Sequence, residues 1–241
     1  MSKRKIVVLT PVKNEGWILD RFLAVTSCFA DLIIIADQNS TDESASIARR
    51  FEKVHLITNN SKSYDEAERQ LMLIRKAREL ESREKILIAL DADEILAANA
   101  TKQPGWQTML ADKPGTTLYF EKPELYPHPG RCIRADHPWP IGYVDDGVEH
   151  VPRKIHSIRI PRPTGGRRLI LNDIKIMHYA FCRMDAQRAK MRYYAVLENA
   201  LGTQPLHRRL RTYATDAFNE WLPRHQETPR EWFEGDRKSV V

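Results

Sequence analysis

The chain has little cysteine, little glycine and no long apolar run. Its three cysteines, Cys28, Cys132 and Cys182, are odd in number and widely spaced. That pattern argues against a disulfide framework or a zinc cage and fits a reducing compartment. No stretch reaches the ~18 apolar residues of a membrane span. The basic start Met1–Lys5 is followed by only the short apolar run from Ile6 to Leu9, too short for a signal-peptide core. The expected location is therefore cytoplasmic, at most peripheral at the inner face of the membrane. What the chain does have is a 42% hydrophobic fraction, enough to fill a core, and a net charge of +6. A basic balance favours anionic partners, whether nucleic acid, phosphorylated small molecules or an anionic surface.

The first ninety-odd residues alternate short apolar runs with helical patterns. Ile6–Leu9, Leu32–Ala36, Val54–Ile57 and Ile86–Leu90 read as buried strands. Ile18, Phe22, Val25 and Phe29 recur at helical spacing behind Asn14, a good N-cap. Ser40-Thr41-Asp42-Glu43 and Ser63-Tyr64-Asp65-Glu66 each have the form of a capping box, so a helix is expected after each. Strands alternating with capped helices imply βαβ units and a mostly parallel sheet. Beyond Glu94 the pattern loosens into a Pro-rich stretch, with strands expected at Thr117–Glu121 and Leu169–Met177. Helices are expected over Ala186–Leu201 and Leu206–Leu222.

In open α/β sheets, ligands bind beyond the carboxyl ends of the strands. Three polar clusters fall there: Thr10 to Glu15, Asp37 to Asp42, and Asp91 to Glu94. One acidic loop after a strand is unremarkable, whereas three on one edge suggest a site. Asp91-Ala92-Asp93-Glu94 packs three carboxylates into four residues, which repel unless a cation or solvent relieves them. Oxygen ligands of this kind suit Mg²⁺ or Mn²⁺, which typically take one or two carboxylates plus substrate phosphates.

These motifs resemble those of the family 2 glycosyltransferases, with a GT-A fold. The matching residues are Thr10-Pro11-Val12-Lys13-Asn14-Glu15 after the first strand, Asp37-Gln38-Asn39-Ser40-Thr41-Asp42 after the second, and Leu90-Asp91-Ala92-Asp93-Glu94 after the fourth. The resemblance covers about the first hundred residues, then rests on His178-Tyr179 and the helix that follows. It implies a nucleotide pocket lined by Thr10, Pro11, Lys13, Asn14 and Glu15, with Asp37 accepting a hydrogen bond from the base. It implies that Arg69 touches sugar or diphosphate and that Asp91 contacts ribose or metal-bound water. Asp93 would ligate Mn²⁺ or Mg²⁺, with Asp91 and His178 as further ligands. Arg183 and Lys190 could neutralise the diphosphate, and His150 and His156 are weaker alternatives to His178. Gln38 stands where an acidic or small residue is more usual, leaving UDP-type and GDP-type donors open.

Inverting members of the family use an Asp or Glu of the second half as general base. The candidates are Asp146, Glu149 and Asp145, flanking the Asp146-Gly147 dipeptide, which equally reads as a polar turn. The resemblance divides the chain into a catalytic domain over 1–183, with a nucleotide-sugar half (1–100) and an acceptor-side half (101–183), and a helical segment over 184–241. It implies transfer of a sugar from a nucleoside-diphosphate sugar to a glycan, lipid-linked saccharide or cell-surface precursor. The basic helices with Arg188, Lys190, Arg192, Arg208, Arg209 and Arg211 offer a peripheral membrane contact. A nucleotidyltransferase would need a glycine-rich cradle after the first strand, and Thr10–Asn14 holds no glycine. A nucleic-acid-binding module would have to tolerate an acidic sheet edge facing phosphates.

Overall fold

A computed structural model describes residues 4–61, 65–134, 137–202, 205, 207 and 225–233. Ser63 and Tyr64 of the second capping box and, His207 apart, the helix expected over Leu206–Leu222 lie outside the described residues. The first half runs β1 (Lys5–Val12), α1 (Gly16–Ser27), β2 (Leu32–Asp37), α2 (Ser44–Ala48), β3 (Val54–Thr58), α3 (Glu66–Leu80) and β4 (Lys85–Ala89). β1 pairs in parallel with β2 and β4, and β2 with β3. The second half adds β5 (Glu94–Leu96), α4 (Pro104–Ala111), β6 (Thr117–Glu121), β7 (Glu124–Leu125), β8 (Arg131–Ile133) and β9 (Trp139–Val144). β10 (Arg168–His178), α5 (Met184–Leu201) and β11 (Gln226–Glu227) follow.

One sheet results, in the order β11-β8-β7-β10-β6-β9-β4-β1-β2-β3, with β5 beside β10. Most strands run the same way, so the chain has an α/β architecture of mostly parallel strands flanked by helices. β9 is the reversal in the middle, antiparallel to both β4 and β6.

The continuous apolar runs are explained by burial on both faces of the sheet. Successive strand residues point to opposite faces. Ile6 and Val8 of β1 therefore meet Phe22 and Leu19 of α1, while Val7 and Leu9 meet Leu73, Ile74 and Ala77 of α3. Trp106 is also core, edge-on to Phe29 with ring centroids 5.7 Å apart.

Two helix starts differ from the sequence expectation. Asn14 does not cap α1. It adopts φ 56°, and its side-chain oxygen accepts from the Thr41 amide at 2.7 Å, so α1 begins two residues later with Glu15 at its N-cap. Ser40 and Glu43 do not form a capping box either. Ser40 Oγ accepts from the Asn14 amide, and α2 starts at Ser44, whose amide donates to Asp42. In both cases the short polar side chain bonds the neighbouring loop instead of its own helix. Asp65 does cap α3, accepting from the Glu68 amide at 3.0 Å.

Phe22 is fully buried and Val151 is 86% exposed. Phe22→Ala should cost ~3–5 kcal/mol of unfolding free energy in urea titrations, and Val151→Ala less than ~0.5 kcal/mol. Equal effects of the two changes would contradict the packing described.

Candidate functional site at the carboxyl edge of the sheet

The first two polar loops interlock. Besides the Asn14–Ser40–Thr41 contacts, the Glu15 amide donates to Ser44 Oγ and the Gly16 amide to Asp42, both at 2.9 Å. Lys13 Nζ donates to the Gln38 carbonyl at 2.8 Å. Gly16 fits this closure because a Cβ there would lie 2.7 Å from Glu43 Cδ. Asp37 ends β2 almost buried, with its carboxylate turned to the Ser40 amide. Thr10 is buried in β1 with an unpartnered hydroxyl. Arg69, from α3, reaches across to Gln38 Oε1 at 3.1 Å. Pro11, Arg69 and Arg159 line one small cavity between α3 and the ends of β1 and β4.

The acidic turn after β4 is sorted by its partners. Glu94 is almost fully buried and is held by two cations. Lys122 Nζ lies 3.0 Å from Oε1, and the Arg159 guanidinium lies within 3.0 Å of both oxygens. Burial opposes ionisation of Glu94, but Arg159 and Lys122 hold its pKa well below the usual carboxylate range. Glu94 also accepts from the Asp91 amide at 3.0 Å, which sets the turn. The Asp91 carboxylate pairs with Arg159 at 2.9 Å and stays partly exposed.

Asp93 points elsewhere. Its carboxylate lies 3.7 Å from His178 Nε2, at the end of β10, and its carbonyl accepts from the Tyr179 amide. The other ring nitrogen of His178, Nδ1, is hydrogen-bonded to Glu124. Burial opposes protonation of this imidazole, yet Glu124 and Asp93 push its pKa up to about 10. Asp93 is lowered in turn, His178 outweighing burial. A carboxylate behind one imidazole nitrogen, leaving the other to face a second carboxylate, is an arrangement found around bound metals. Asp93 and His178 fit a hard divalent cation whose remaining ligands are water or phosphate oxygens. Among the described residues, no group of three or more His, Cys, Asp or Glu side chains forms a closed metal cage.

Two more charges act here. Lys190 of α5 has a raised pKa, because Asp91 and Asp93 outweigh its desolvation. Burial, reinforced by Asp93, pushes the Glu15 pKa up to about 7, against a hydrogen bond from Trp17 and the charge of Lys190. Arg183 stacks over Trp17 with its guanidinium carbon 4.7 Å from the ring centroid.

Asp145, Asp146 and Glu149 are not brought to this edge. β9 runs against β4, so its end lies where β4 begins. Asp145 there is bound by Arg78 in a two-pronged contact, with 2.7 Å the shorter distance, and lies 3.6 Å from Lys85. Asp146 accepts from the Tyr143 hydroxyl at 2.7 Å. The chain then returns along α3: Val148 bonds Arg78, His150 bonds Gln70, and Ser157 bonds Glu66. Glu149 is exposed on that path. His150 faces Gln70, and His156 faces Glu198, so neither joins Asp93. Arg159 ends the path at the acidic turn. Sequence reasoning missed it, because a lone arginine in an irregular stretch carries no local signal.

No family model matches the chain, and no curated protein matches it by sequence. Similar solved structures include TarS from S. aureus, 12% identical, with 90% of this chain and 72% of that one covered and a TM-score of 0.48. GalNAc-T7, solved with UDP, GalNAc and Mn²⁺, is 13% identical over 74% of this chain and 44% of that one, with a TM-score of 0.48. A 4-diphosphocytidyl-2C-methyl-D-erythritol synthase is 20% identical over 49% of this chain and 60% of that one, with a TM-score of 0.39.

Asp145→Asn should lower unfolding free energy in urea titrations by ~3 kcal/mol, because Arg78 and Lys85 lose a buried partner. Full stability of the variant would contradict that structural role. For Glu15, a folded pKa raised above the unfolded value favours the protonated folded state. The ionised group therefore costs stability as pH rises from about 4.5 towards 7 and beyond. In metal-free protein, Glu15→Gln should raise Tm by roughly a few degrees at pH 8 and not at pH 4. An equal effect at both pH values would rule out the shift.

Proposed function

We propose that this chain is a metal-dependent glycosyltransferase that moves a sugar from a nucleoside-diphosphate sugar to an acceptor hydroxyl. The observation that carries this reading is the pairing of Asp93 with His178, backed by Glu124, directly beyond β4 and beside the two interlocked loops. The family 2 resemblance supports it, and with it transfer by inversion.

Asp93 and His178 would hold Mn²⁺ or Mg²⁺, which supplies charge neutralisation to the departing diphosphate. Arg69 and Arg159, both lining the cavity beside Pro11, put further positive charge on the nucleotide side. Asp37 and the loop from Thr10 to Asn14 would bind base and ribose. Lys190, on α5 and close enough to Asp91 and Asp93 to feel both charges, would add to the neutralisation of the diphosphate. The acceptor proton needs a carboxylate at this edge. Asp91 and Glu94 are engaged by cations, and Asp93 and Glu124 by His178. Glu15, which accepts from the Trp17 indole N–H at 2.8 Å and whose pKa burial pushes up to about 7, is therefore assigned that role.

No helix among the described residues is long and apolar enough to cross a membrane. Arg208, Arg209 and Arg211, which would provide much of the basic membrane-facing surface, lie outside the described residues.

Calorimetry with UDP and GDP, with and without Mn²⁺, tests the reading. At least one nucleotide should bind in a metal-dependent way. Asp93→Asn and His178→Ala should each weaken metal-dependent binding about 10- to 100-fold. Absence of binding by either nucleotide under all conditions would refute the proposed function.

A further inference from the structure

Two tryptophans at the carboxyl edge remain well exposed, Trp17 at 40% and Trp139 at 41%. Trp17 is committed, since its indole N–H donates to Glu15 and Arg183 stacks on its ring. Trp139 differs. It opens β9, opposite Phe120 of β6. The β4–β9 register pairs Ile88 with Gly142. Past a bulge in β9 between Gly142 and Pro140, the strand opens at Trp139, at the carboxyl end of β4. The nearly buried Lys122 ammonium lies 4.8 Å from the Trp139 ring centroid and 3.0 Å from Glu94 Oε1, linking the indole to the acidic turn. The imidazole of His137 borders the ring with centroids 5.3 Å apart. The Trp139 indole N–H donates to no group among the described residues.

We infer that Trp139 is the acceptor platform and that the acceptor it receives is a pyranose sugar. This rests on the glycosyltransferase reading and names its second substrate. An exposed indole with an unused N–H suits a ligand that has both an apolar face and hydroxyl groups. A pyranose ring offers C–H groups to the electron-rich ring face and a hydroxyl to the N–H. The order of strands supports the placement. β2 and β1 carry the loops assigned to the nucleotide, β4 carries the acidic turn, and β9 lies on the far side of β4 from β1. Neighbouring strands are about 4.8 Å apart, so a single sugar unit on Trp139 would span the gap to a donor sugar held at Asp93. The position of Lys122 has a second effect. It holds Glu94 and underlies Trp139, so acidic turn and acceptor platform are fixed by one side chain.

The test follows the indole resonances of the ¹⁵N-labelled full chain with Mg²⁺ and UDP present. Methyl β-D-glucopyranoside, methyl β-D-galactopyranoside and N-acetylglucosamine are titrated, with glycerol as the non-ring control. Trp139→Phe assigns the resonance by its loss. At least one pyranoside should move the Trp139 signal, and glycerol should not. Trp139→Ala should weaken that pyranoside about tenfold, followed through backbone amides near Lys122, and leave UDP affinity unchanged. A Trp139 signal unmoved by all three sugars overturns the inference. So does movement by UDP alone to the same end point, which would make the indole a base platform. Failure of UDP to bind in the same samples would instead count against the glycosyltransferase reading, so the two failures are distinguishable.

Discussion

The site depends on the neutralisation of Glu94. A carboxylate this deeply buried is tolerated only if it is paired and hydrogen-bonded. Lys122 and Arg159 do that from two distant parts of the chain. Lys122 follows β6, and Arg159 ends an irregular segment. Their convergence fixes the turn that Glu94 itself closes through the Asp91 amide. With Glu94 consumed in this way, Asp91 is drawn to Arg159 and Asp93 is left to face His178. One buried ion cluster therefore divides three adjacent carboxylates into different tasks.

The three polar loops were legible in the sequence because each follows a continuous apolar run, and such a run is what a strand buried on both faces requires. Parallel order followed from the alternation with helices. The loop chemistry was only half legible. Asn14 and Ser40 have the look of caps, since short polar side chains bond backbone amides nearby. In the folded chain the nearest unpaired amides belong to the opposite loop. Sequence spacing cannot show that, because the two loops become neighbours only through the pairing of β1 with β2.

The second half was less legible for a topological reason. Asp145, Asp146 and Glu149 have the residue types of a general base, but their position is set by the direction of β9. A reversed strand inserted between two parallel ones puts its end at the opposite edge, and nothing local in Tyr143–His150 reports that reversal. Arg159 was invisible for the complementary reason. Its importance comes from a contact 65 residues away in sequence with Glu94. His178 stood out only through resemblance; what the fold adds is that Asp93 and Glu124 both face its ring.

The segment from Asp145 to Arg159 runs the length of α3, tied to it at Arg78, Gln70 and Glu66 before its last residue reaches Glu94. It works as a measuring tape laid along a rigid rod. Both its ends are pinned by ion pairs, so its residue count is matched to the length of the helix. Insertions and deletions here would have to be absorbed between the pins or would shift the arginine off the acidic turn. Length variation among related chains should therefore be scarce in this stretch and freer in the turn around Gly165, where the backbone is not so tethered.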